Sequence, residues 1–353
     1  MPSHSRDNLN ALLEGGTPRW MPFTVDVGAL PGFTPPIRRQ FAEWTGAADP
    51  AEYFHCDFRT FSLKARFAGE DPQAWHDHIE PGTTFDEWGI GHSAGGVEGT
   101  VDRTYPPLAR AESVREIEAY PSPALDAAID LTPIARYQER GYPVFGYAGS
   151  IYEWSWWLRG METFLADTIL NPSLTEALIA KVADYTRQLA LASAQAGIDV
   201  LCFYDDAGAQ TGMQISPAMW RRLIKPRWAM VLDHVRCRFP HVRTFLHSCG
   251  CIRDIVPDIV DLGFDILHPI QPECMDFAEV HREFGKRITL CATISSQRTF
   301  PFGTPDDVRR TVRELKQLCG EGKRGILCPS NMIQPETPWE NVLAFVEAAR
   351  PVR

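Results

Sequence analysis

Three side chains able to hold a metal stand within five residues in "LHSCGC": His247, Cys249 and Cys251. A His-x-Cys pair just past a strand can turn an imidazole and a thiol to one side of a loop. With a third soft donor, such a set suits zinc held with an open fourth position. That metal is a Lewis acid, which binds a thiol, lowers its pKa and presents a thiolate at neutral pH. Cys328 lies near the end of the last apolar run, which a closed ring of strands would return to the same rim. Cys251 is a nearer alternative on the same turn. The ordinary reading is packing, because cysteine is among the most buried residue types and ligands must converge in space.

A second group is "VLCFYDDAG", which ends in Asp205 and Asp206. Adjacent buried carboxylates shift each other's pKa, so either residue is a candidate acid or base, or orients substrate. Neighbouring side chains point in different directions, so at most one serves a pocket, and the other caps or turns the chain. Tyr204 precedes the pair. "IYEWSWW" places Trp154, Trp156 and Trp157 together, either as a wall for a flat ligand or as core or interface packing. Gln271 in "HPIQPE" and Asn331 in "PSNMIQPETP" follow apolar runs in Pro-rich turns. Tyr204, Trp154, Gln271 and Asn331 are the expected substrate contacts.

The elements that must position these residues alternate. "YPVFGYAG", "IDVLCFY", "VRTFLH", "FDILH", "RITLCATIS" and "GILCPSN" read as strands, and amphipathic segments separate them. "NPSLTEALIAKVADYTRQLALASAQAG" predicts a helix with Asn171 as N-cap, Pro172 in the first turn and Gly197 as the stop. "SPAMWRRLIKPRWAMVLDHVRCRF" predicts another, opened by Ser216 and Pro217. "WMPFTVDV" predicts a first strand, and the Trp cluster falls in a loop. Such alternation implies parallel βα units with right-handed crossovers. Seven or eight of them favour a single (β/α)8 TIM-type barrel spanning residues 1–353. Residues 1–18 would form a helical extension, and residues 50–110 an irregular, partly antiparallel excursion. In a barrel, chemistry sits at the carboxyl ends of the strands. That rule selects Asp205, Asp206, His247, Cys249, His268, Gln271, Thr293, Cys328 and Asn331.

The net charge of −10 argues against nucleic-acid and anionic-membrane partners, which need a basic face. No stretch reaches the ~20 apolar residues of a membrane span. The start has no apolar signal core, so a cytoplasmic location is expected. The nine cysteines are scattered without a CxxC pair, as in a reducing compartment.

Long segments in register, among them "WLRGMETFLADTILNP", "FYDDAGAQTGMQISPAMWRRLIKPR", "LHSCGCIRDIVPDIVDLGFDILHPIQPE" and "ILCPSNMIQPETPWENV", resemble the uroporphyrinogen decarboxylase superfamily. They look most like its branch of zinc-dependent cobalamin methyltransferases. The resemblance runs from about Tyr142 to the C-terminus and implies a (β/α)8 barrel. The decarboxylases carry an arginine-bearing segment close to "RQAGRYLPEY" that grips propionates. The corresponding "RWMPFTVDVGALPGF" lacks that grip, which speaks against uroporphyrinogen as substrate.

The methyltransferases hold zinc with His-x-Cys and a distant Cys, which implies His247 and Cys249 as ligands here. The position of the distant cysteine falls at Asn331, leaving Cys328 or Cys251 as third ligand, or a different metal site, or none. The resemblance implies methyl transfer between a methyl-corrinoid, or a methylated small molecule, and a thiol or cobalt acceptor. The cobalamin would be supplied by a partner corrinoid protein. The resemblance and the aromatic content also point to a homodimer. The alternatives are a cofactor-independent decarboxylase using Asp205 or Asp206, and a non-enzymatic tetrapyrrole- or corrinoid-binding barrel.

Overall fold

The structure is a computed structural model that describes residues 4–94, 101–320 and 324–350. Residues 1–3 of the expected extension lie outside it. Its centre is a curled, seven-stranded parallel sheet. We label the strands β1 (Arg59–Thr60), β2 (Val144–Gly149), β3 (Val200–Tyr204), β4 (Arg243–His247), β5 (Ile266–His268), β6 (Thr289–Ile294) and β7 (Gly325–Pro329). They lie side by side in chain order, as right-handed βα units dictate.

The expected first strand is reduced to one bridge, Phe23 with Leu327 of β7. Thr24 N–H donates to the Leu327 carbonyl, and Leu327 N–H donates to that of Pro22. On the other side Asp57 N–H, just before β1, donates to the Phe23 carbonyl. Phe23 therefore joins the two edges of the sheet, an arrangement consistent with a TIM-type barrel. Pro22 has no N–H to give a ladder, which helps to keep this segment from extending as a strand.

Alternation along the strands sorts two cores. Val200, Cys202 and Tyr204 of β3 point inward with Phe245, Ile266, Cys291, Ile326 and Cys328. Leu201 and Phe203 point outward with Leu246 and Leu267 against the helices. Helix Ser5–Leu13 adds Leu9 and Leu12 to the interior set.

The long helix runs Pro172–Gln195, close to expectation, and Gly197 follows it at φ +96°. Asn171 does not cap it through its side chain; its Nδ2 donates instead to Asp167 Oδ1 at 2.7 Å. Ser216 does cap the next helix, accepting from Met219 N–H at 3.2 Å. That helix, expected as one piece, breaks into Pro217–Leu223 and Lys225–Arg238. Pro226 cannot continue the hydrogen-bond ladder and disfavours helical backbone before it. The three tryptophans lie on helix Tyr152–Arg159 and not in a loop.

The excursion is an antiparallel sheet of Thr84–Phe85, Gly91–Ala94 and Val101–Tyr105, with a separate pair Ala65–Arg66 and Ala124–Leu125. Among the described residues no helix is long and apolar enough to cross a membrane.

Candidate metal centre and cavity

Parallel register sets Tyr204, His247 and His268 side by side at the carboxyl ends of β3, β4 and β5. Their rings pack in a row, with centroids 5.1 Å apart for Tyr204–His247 and 4.9 Å for His247–His268. A hydrogen-bond chain orders the imidazoles. His268 Nε2 lies 2.9 Å from the Pro329 carbonyl, which can only accept. In a neutral pair His268 Nε2 therefore carries the hydrogen, and its Nδ1 is a lone pair. His247 Nδ1 is 2.8 Å from that nitrogen, so it must donate. This leaves His247 Nε2 unprotonated, the state a metal ligand needs. Burial also pushes the His247 pKa down to about 3, so the ring is neutral at ordinary pH.

His247 Nε2 is met by Cys249 Sγ at 3.2 Å and Asp206 Oδ1 at 3.5 Å. One donor atom from each of Asp206, His247 and Cys249 lies within 4.8 Å of the others. Two glycines bring their loops together. A Cβ on Gly250 would lie 2.4 Å from the Gly208 carbonyl carbon, and one on Gly208 would lie 2.6 Å from the Cys249 oxygen. Backbone against backbone at this distance admits no side chain. The contact is tied by Cys251 N–H to the Ala209 carbonyl at 2.8 Å and by Cys249 N–H to Asp206 Oδ1 at 2.7 Å. The two-glycine contact was readable as "DAG" and "CGC", but only the fold pairs them.

The adjacent aspartates have opposite fates. Asp206 faces the cavity. Asp205, expected as an acid or base, is buried behind it and saturated. Its Oδ1 accepts from Ser150 Oγ at 2.8 Å and from the N–H groups of Ile151 and Glu153 at 3.0 Å. Its Oδ2 accepts from Trp228 Nε1 at 2.9 Å. It holds the start of helix Tyr152–Arg159 and thereby aims Glu153, a residue that sequence reasoning missed.

Cys328 and Cys251, the expected third donors, do not join the group. Cys328 points into the barrel interior beside Cys291 and His268. Cys251 packs against the outer core. Asp206 is the residue whose side-chain oxygen joins His247 and Cys249 in the group that could hold a metal. Asn331 stands near the group instead of a cysteine, its Nδ2 3.5 Å from Cys249 Sγ.

A cavity of about 630 Å³ opens beside these donors, and His247, Asp206 and Asn331 are in its wall. Trp154 and Tyr204 line it as expected. The Tyr204 hydroxyl, however, is spent on the amino-terminal loop: it donates to the Val27 carbonyl at 2.6 Å and accepts from Ala29 N–H at 2.8 Å. Only its ring is left for a ligand. Gln271 is not in the wall; its Oε1 accepts from Gly250 N–H at 2.7 Å and steadies the metal loop. Thr293, another strand-end candidate, spends its hydroxyl on the Ile270 carbonyl.

The wall also holds Glu87 from the excursion, Glu153, Tyr147 and Trp157. Burial, helped by the neighbouring Asp206, raises Glu153 well above the carboxylate range, and burial raises Asp206 and Glu87 too. The Cys249 thiol is likewise pushed far up by burial and by Asp206. It is therefore a neutral thiol that donates to His247 Nε2.

Residues 91–352 match the uroporphyrinogen decarboxylase (URO-D) family, and the chain belongs to that family. It is 28% identical over 191 residues to the methylcobamide:CoM methyltransferase MtaA of Methanosarcina barkeri, covering 54% of this chain and 53% of that protein. It is 22% identical over 181 residues to the uroporphyrinogen decarboxylase of Sulfurimonas denitrificans, covering 50% and 48%. The chain thus spans about half the length of the curated relatives it matches. A methyltransferase from Methanosarcina mazei has the same fold, with a TM-score of 0.69 over 98% of both chains at 20% identity.

Proposed function

We propose that this protein is a zinc-dependent, corrinoid-linked methyltransferase in which the whole chain acts as one barrel domain. The observation that carries the reading is the convergence of Asp206, His247 and Cys249 on one point of the cavity wall. Nitrogen, sulfur and oxygen donors together suit zinc, and a three-donor set leaves a position for substrate. The ordered imidazole chain fits the same ion, since ligating histidines usually give their other N–H to a fixed acceptor. When bound, zinc would supply Lewis acidity that polarises a substrate heteroatom or lowers a thiol's pKa. A methyl-corrinoid, delivered by a separate protein, would supply or accept the methyl group. The relation to MtaA supports this class.

The chain's own residues would orient the reactants. His247 presents Nε2 through His268 and Pro329. Asp206 holds the Cys249 backbone N–H while offering its carboxylate to the cavity. Trp154, Tyr147 and the Tyr204 ring form a dry apolar wall that excludes water from the reacting centre. Gln271 and Asp205 act through others, as positioning residues for the metal loop and for Glu153.

Decarboxylation of a polycarboxylate is disfavoured, because among the described residues no lysine or arginine lines the cavity to hold anionic groups. The test is metal analysis of reduced, purified protein. About one zinc per chain is expected, lost in His247→Ala. Zinc-replete protein should also change the absorbance of methylcobalamin, or of reduced cobalamin, when the right methyl acceptor or donor is added. Protein that binds no zinc would defeat the reading.

A further inference from the structure

The cavity wall that adjoins the candidate metal donors has a chemical character of its own, and Glu153 Oε2 accepts from Asp206 N–H at 3.3 Å. Glu87 comes from the turn between Thr84–Phe85 and Gly91–Ala94, and Glu153 from helix Tyr152–Arg159. The same wall holds the rings of Tyr147, Trp154 and Trp157. Tyr147 and Trp154 meet edge to face with centroids 5.8 Å apart, and Tyr147 stacks on Tyr204 at 5.4 Å. Among the described residues no lysine or arginine is in the wall. Asp86, also in the wall, is committed to its own turn, accepting from Trp88 and Ile90 N–H and from His92. Glu87 and Glu153 are thus carboxyl groups set among aromatic rings, with His92 already paired to Asp86 and with no lysine or arginine among the described residues of the wall.

Buried carboxylates are costly unless paired, and aromatic faces attract an onium charge whose methyl groups are too poorly hydrated to be lost easily to water. An anionic thiol would find no lysine or arginine among the described residues of the same wall to pair with. We infer that the small-molecule substrate of this cavity is a methylated ammonium compound, its cationic nitrogen seated between Trp154, Trp157 and Tyr147 and facing Glu87 and Glu153. The inference rests on the methyl-transfer reading for the substrate's role, while the binding preference itself depends only on the wall.

The test is calorimetric titration of the full-length protein with choline, with 3,3-dimethylbutan-1-ol as its uncharged isostere, and with 2-mercaptoethanesulfonate as an anionic thiol. Choline should bind about tenfold or more tightly than the isostere, and the sulfonate should not compete. Glu87→Gln and, as an independent second variant, Trp157→Leu should each weaken choline by roughly fivefold while binding of the isostere moves little. Equal binding of choline and the isostere, no binding of choline, or preferred binding of the sulfonate would overturn the inference. Zinc content measured on the same sample separates the two ideas. Zinc without choline binding sinks the substrate class alone; choline binding without zinc sinks the methyl-transfer reading and leaves the cationic preference standing.

Discussion

The two sides of the cavity were built by different means. The metal side comes from strand ends in register, where Tyr204, His247 and His268 stand at one height. Its rings are ordered by hydrogen bonds and supported by a backbone contact between two glycines. The adjoining side comes from an antiparallel insertion, which supplies Glu87, and from a helix start, which supplies Glu153 and is held by the buried Asp205. Register makes the first side hard to move without unfolding the sheet. The second side can vary with little cost to the barrel, as loop-borne groups usually can. The difference suggests a division of work: strand ends for the chemistry, inserted elements for the choice of substrate.

His247→Ala should have the largest effect, removing the central donor. Bound zinc should fall to background, with far-ultraviolet circular dichroism unchanged; retained zinc would mean that the ion lies elsewhere. Asp205 and Asp206 provide the sharpest contrast. Asp205→Ala should destabilise the fold by about 3 kcal/mol, since it strands several buried donors. Asp206→Asn should instead lower zinc affinity with little change in denaturation midpoint. Equal destabilisation by both would erase the distinction between the two sides.

His268→Phe keeps a ring in the stack but removes the acceptor for His247 Nδ1. Zinc affinity should drop about 10- to 100-fold, the usual size for a lost ligand-orienting partner. His268→Asn, which can still accept, should recover part of it.

The next effect concerns pH. Burial raises Asp26 from 3.8 to about 6. Between those values the folded chain keeps a proton that the unfolded chain has released. The associated stability is complete below about 3.8 and is lost as pH rises through about 6. Asp26→Asn, which can still accept from Gly32 N–H, should therefore stabilise the protein by roughly 2 kcal/mol at about pH 8 and by little at about pH 4. Denaturant titration at the two pH values tests this. Smallest of all, Tyr204→Phe should cost roughly 1 kcal/mol through its lost contacts to Val27 and Ala29, with zinc binding intact.

Much of the metal side was legible beforehand. Apolar runs separated by amphipathic helices dictate a parallel sheet, and a parallel sheet of this length curls with its strand ends on one rim. His247, Cys249, Asp206 and Asn331 are at that rim because they follow such runs, and His-x-Cys spacing is short enough to survive folding unchanged. The Pro226 break was also written in the chain, as the rule for the residue before proline. That Asp206 and not Cys328 would join His247 and Cys249 was not legible, because sequence gives no hint that Cys328 turns into the interior towards Cys291 while Asp206 faces the cavity. Those directions depend on strand alternation counted from a register that only neighbouring strands define.

The adjoining carboxyl and aromatic wall was decided wholly in three dimensions. Glu87 and Glu153 are 66 positions apart (153 − 87) in segments with no shared pattern, and a carboxylate in a turn reads as solvated. What determines their character is the company of Tyr147, Trp154 and Trp157 and the lack of lysine and arginine among the described residues of the wall, both properties of packing. Local propensity and hydrophobic period specify which elements form, because they act over a few bonds. Whether a carboxyl faces water or an aromatic chamber depends on contacts between distant segments, and those exist only once the chain has closed on itself.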